Sequence, residues 1–134
     1  MKDDDGRQAF GKVVLYTRDM SQLIASNIYP KNPRLALKLL RHVSLFGWLL
    51  KNFLRSEIGK CNRADADIVY AMLSTTDAEY VMRQRKMPVA VVTRLRQVFY
   101  HMAEEGQLNT AEELALDHMT HELNHCITTT ERST

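Results

Sequence analysis

The chain has 134 residues, 45% of them hydrophobic and 25% charged, a globular balance that excludes a disordered chain and suits one compact domain over residues 1–134. Eighteen Lys and Arg against 16 Asp and Glu leave a net charge of +2, without the basic surplus of a dedicated nucleic-acid binder. Two cysteines, Cys61 and Cys126, are too few for a disulfide framework, and five Gly with three Pro exclude fibrous and low-complexity classes.

Met1-Lys2-Asp3-Asp4-Asp5 lacks the basic start and apolar centre of a signal peptide. It reads as an acidic tail (1–5) or a first-turn charge cluster rather than a metal site. Asp5 with Gln8 fits a capping box, and apolar residues then recur at helical spacing from Phe10 through Val13, Met20, Leu23 and Ile24 to Ile28. Tyr29-Pro30-Lys31-Asn32-Pro33 is a break in which Asn32 suits an N-cap and Pro33 a first helical position. The second helix, about 33–56, is apolar over most of its circumference, with Arg34, Lys38, Arg41 and His42 on one narrow arc. Such a helix is buried on several sides or partly faces lipid. Gly59 is placed to end it.

Asn62 with Asp65 starts a short helix through Leu73, and Thr76 with Glu79 caps another turn or two through Arg83. Pro88 opens a helix through Glu105, with Val91, Leu95, Val98, Phe99 and Met102 on one face, and Gly106 stops it. Thr110 with Glu113 caps a last helix through about Ile127, carrying Leu114, Leu116, Met119 and Leu123. No segment alternates with period two, so the expected fold is all-α, a bundle of about five or six helices.

No uncharged apolar run reaches the ~18 residues of a membrane span. The segment 35–54 is long enough but carries Lys38, Arg41, His42 and Lys51, and cations near a bilayer centre cost about 2.5–3.5 kcal/mol each.

His118, His121 and His125 share the last helix with Asp117, Glu122 and Cys126. His121 and His125 are one turn apart, a spacing that can bring two imidazoles to one metal. His121-Glu122-Leu123-Asn124-His125 has the H-E-x-x-H form, but so short a pattern also arises by chance, and a polar helix face using histidine is the better reading, with a metal-dependent protein as the lesser alternative. Asp65/Asp67 and Glu104/Glu105 sit at helix ends, where solvation or the helix dipole accounts for them. There is no Gly-rich phosphate loop, GxSxG or CxxC; an enzyme is possible but these motifs give it no support, and no cofactor is expected. Arg83, Arg85, Lys86, Arg94 and Arg96 form a solvated basic face or an anion-attracting surface.

Four short motifs fall in one order along the chain. Gly6-Arg7-Gln8-Ala9-Phe10-Gly11, followed by Arg18-Asp19-Met20, is similar to G-R-x-x-[WF]-G and then S-R-x-L, with Thr17 where Ser is usual. Trp48-Leu49-Leu50-Lys51-Asn52-Phe53-Leu54-Arg55 resembles W-x-L-K-x-x-L-R. Arg85-Lys86-Met87-Pro88 leading into Val91 and Leu95 resembles N-R-P-x-x-[VI]-L. The end of the last helix, Cys126 with Glu131-Arg132, is similar to the G-x-C-E-R-I-x-x-T-P-x-P region, but the Cys and the Glu-Arg are separated and T-P-x-P is absent. Together these resemble the bestrophin-like anion channels, and the motif residues carried over are Arg18, Trp48, Lys51, Arg55 and Pro88.

The resemblance implies the cytosolic helical portion of a chloride or other small-anion channel, a fragment without the flanking transmembrane segments. It implies a homopentamer at full length, with membrane contact through those missing segments and no nucleic-acid partner. This portion would lie on the cytosolic or stromal face, with a plastid membrane an option for a photosynthetic source. A narrow apolar aperture belongs near the start of the last helix, where Leu108 and Leu114 are the candidates. No metal ligands are carried over. The alternative is a soluble helical interaction module that docks a partner through its apolar 33–56 helix, since a large apolar surface needs a cover.

Overall fold

The computed structural model describes the backbone of residues 2–55 and 63–133, and the side chains of 7–52 and 65–132. Six α-helices follow one another: α1 (Lys2–Leu23), α2 (Pro33–Arg55), α3 (Arg63–Met72), α4 (Thr75–Arg83), α5 (Met87–Glu104) and α6 (Thr110–Ser133). The described residues contain no strand. The proposed caps at Asn62 and Gly59 and the thiol of Cys61 lie outside the described residues. Asp3, Asp4 and Asp5 fall within the first turns of α1.

The elements start and stop for local reasons. Asn32 caps α2, accepting from the Leu35 amide at 3.2 Å, and Pro33 gives up no helical hydrogen bond at the first position. Gly106, the one residue with positive φ (71°) among those described, turns the chain after α5 at little steric cost. Directly after α1, residues Ile24–Ile28 form a π-helical segment. This wider turn rotates the helix face so that Ile24 and Ile28 are both buried while Asn27 reaches across the bundle.

Two caps fall one or two residues earlier than the sequence motifs suggest. Ser74, not Thr76, caps α4, its hydroxyl accepting from the Asp77 amide at 3.3 Å. Asn109, not Thr110, caps α6 in a reciprocal box. The Glu112 amide donates to Asn109 Oδ1 at 2.8 Å, and the Asn109 amide donates to Glu112 Oε1 at 2.9 Å. The last helix also continues past Ile127 through the threonines to Ser133. Thr128 and Thr129 return their hydroxyls to the carbonyls of Asn124 and His125, and Thr130 is buried.

One core joins the elements. Val13, Met20 and Ile24 meet Leu39, Val43, Phe46 and Leu50 of α2, Val91 and Leu95 of α5, and Leu116 and Leu123 of α6, all at 2% exposure or less. Among the described side chains, most apolar residues of α2 are therefore covered inside the domain, against α1, α3, α5 and α6, while Leu37 stays 48% exposed. The first and last helices make the most extensive pairing, and they run antiparallel. Asn27 donates to Glu112 at 2.9 Å, and the Tyr16 ring meets the edge of His118 with centroids 6.1 Å apart. α5 and α6 form an antiparallel hairpin closed by Arg96–Asp117 at 2.8 Å and Lys86–Glu131.

Candidate functional site

Three of the five motif residues come together. Arg18 on α1 and Trp48 and Lys51 on α2 line a groove of about 470 Å³ between the two helices. Its apolar side includes Phe10, Val14 and Val43. Helical spacing explains the convergence. Val14, Thr17, Arg18 and Ser21 repeat at three- and four-residue steps along α1, as do Ser44, Trp48 and Lys51 along α2.

Thr17, where Ser is usual, donates its hydroxyl to the Val13 carbonyl at 2.6 Å. A serine hydroxyl at this position can make the same bond. Arg18 and Lys51 are exposed, and neither has a carboxylate partner among the described residues. The groove therefore combines two uncompensated cations with an apolar floor, and such a surface concentrates anions beside it.

Arg55 closes α2, with its side chain outside the described residues. Pro88 is buried in the first turn of α5, where a proline starts a helix without losing a bond. It lies outside the groove lining.

The two aperture candidates differ. Leu108 is 7% exposed and belongs to the core at the α5–α6 turn. Leu114 is 66% exposed on the second turn of α6, beside Tyr100, which is 62% exposed. Position in the chain brought both forward; only the turn at Gly106 and the cap at Asn109 decide which one faces outward.

The acidic residue behind that cap is Glu112. Bonds from the Asn109 amide and from Asn27, with Lys31 at 3.8 Å, hold its carboxyl below the usual carboxylate range. Its second partner is 85 residues away, a contact that no local sequence pattern marks.

His118, His121 and His125 are exposed, whereas Cys126 is fully buried. Burial pushes the Cys126 thiol up to about 11, so it stays protonated at neutral pH and is a poor nucleophile or ligand. Among the described residues no group of three or more His, Cys, Asp or Glu side chains is placed to hold a metal. No helix among them is long and apolar enough to cross a membrane.

A family model described as bacterial/fungal bestrophin protein matches residues 4–133, nearly the whole chain. No curated protein and no solved structure matches.

Proposed function

The chain belongs to the bacterial/fungal bestrophin family, a membrane-associated channel family rather than a family of enzymes, and from that premise we propose that it forms the water-side vestibule of a multi-subunit anion channel. Chloride or another small anion is the cargo, five copies surround the path, and the segments that cross lipid are supplied outside these helices. The family match over residues 4–133 is the observation that carries this reading. The α1–α2 groove supports it, because Arg18 and Lys51 stand exposed beside an apolar wall with no carboxylate partner among the described residues, a surface that concentrates anions. Leu114 is the aperture residue of choice, since a ring of exposed leucines narrows and dewets a pore, which a core residue such as Leu108 does not do. Docking of a partner through the 33–56 helix has less support, because α2 spends its apolar faces on its own core.

The test joins bestrophin transmembrane segments to both ends of the chain and measures halide flux into liposomes. Anion flux is expected, with Leu114→Ala changing the permeability ratio between small and large anions and Leu108→Ala instead lowering thermal stability. A folded, membrane-inserted oligomer that passes no anion would overturn the reading.

A further inference from the structure

A second cleft, of about 600 Å³, lies between the first half of α2 and the α3–α4 turn. Arg34, Lys38 and Arg41 line it at steps of four and three residues, one stripe of a helix. Lys38 is committed to Asp77 Oδ2 at 3.4 Å, whose other oxygen is held by Arg94 at 3.1 Å. Arg34 and Arg41 have no ion pair or hydrogen-bond partner among the described residues. The cleft is therefore net positive, and the N-terminus of α2 adds to that sign. Leu35, Leu37, Met72 and Leu73 supply an apolar wall.

His42 also lines this cleft and is 2% exposed. Its Nδ1 lies 2.8 Å from the Lys38 carbonyl, which can only accept, so Nδ1 carries the proton. In the neutral ring Nε2 is then an acceptor, and it has no partner among the described residues. A buried polar atom left unpaired is costly, and a donor such as a ligand hydroxyl would satisfy it.

We propose that this cleft binds a small organic anion carrying a hydroxyl group, its oxyanion between Arg34 and Arg41, its apolar body on Leu37 and Met72, and its hydroxyl donated to His42. The site lies apart from the α1–α2 groove and does not rest on the channel reading.

Calorimetric titration of the full chain with 4-hydroxybenzoate tests it, with benzoate and inorganic phosphate as controls and ¹⁵N spectra reporting the His42 Nε2 resonance. Saturable binding of 4-hydroxybenzoate that moves this resonance is expected, with benzoate weaker by about tenfold for want of the hydroxyl. Arg34→Gln with Arg41→Gln, both at exposed positions, is expected to weaken binding by tenfold or more while circular dichroism stays unchanged. Three results would overturn the proposal: no saturable binding to the folded chain, binding indifferent to the double variant, or inorganic phosphate binding as tightly as the hydroxy acid.

Discussion

Both clefts along α2 carry unpaired cations, but only one of them also gathers cations around a buried carboxylate. In the α2–α4 cleft Lys38 and Arg94 converge on Asp77, Arg94 also lies 4.4 Å over the Tyr80 ring, and His42 is enclosed behind them. In the α1–α2 groove Arg18 and Lys51 stand exposed with no carboxylate to hold them. Charge netted around a buried carboxylate secures a helix junction, whereas charge left idle on an apolar groove adds almost nothing to folding and is free to act on solutes or on another chain. Stability measurements should therefore separate the two faces of one helix.

The largest effect belongs to the support both clefts share. Phe46→Ala on α2, at a fully buried position, should cost about 3–5 kcal/mol in urea unfolding and degrade both faces together. Loss of only one face would break the comparison at its root. Next comes Asp77→Asn, which leaves Lys38 and Arg94 facing each other without a carboxylate. The buried-pair cost is tempered by the exposure of both cations, so about 1–2 kcal/mol is expected from the shift in urea midpoint.

Acid titration sharpens the contrast further. Burial holds His42 below its usual 6.5, only partly opposed by its bond to the Lys38 carbonyl. The unfolded chain then takes the proton first, so stability should fall as pH drops below about 6.5. His42→Gln should flatten that leg of the curve. Burial raises the Asp77 carboxyl, but Lys38, His42 and Ser74 outweigh it and leave the group below its usual 3.8. Glu112 is likewise held below 4.5. Their stabilisation is present above those ordinary values and is lost as pH falls through the lower folded-state ones, giving a second, steeper decline that His42→Gln leaves in place. The smallest effect is expected of Arg18→Gln with Lys51→Gln, within about 0.5 kcal/mol of the parent in the same unfolding assay. A larger loss would mean that these cations are structural after all.

Much of the helical framework was legible from punctuation and period. Asn32-Pro33, Pro88 and Gly106 sit where helices begin and end because their backbone constraints leave few other options. The caps were less legible because the runs Ser74-Thr75-Thr76-Asp77-Ala78-Glu79 and Asn109-Thr110-Ala111-Glu112-Glu113 each contain two overlapping box patterns. Distant groups chose between them: Lys38 and Arg94 at Asp77, and Asn27 at Glu112. The same limit applies to the groove. The motifs named Arg18, Trp48 and Lys51, but only the packing of α1 on α2 shows that they share a wall and that Pro88 does not. Nothing in the local pattern distinguishes Leu108 from Leu114, since one side of a turn is decided by what packs beneath it.

The antiparallel pairing of α1 with α6 has a geometric consequence. The beginning of the first helix and the end of the last lie at the same pole of the bundle. Any polypeptide joined to either terminus therefore departs from that pole, and two such extensions can enter a single lipid sheet side by side while the α1–α6 pairing stays intact.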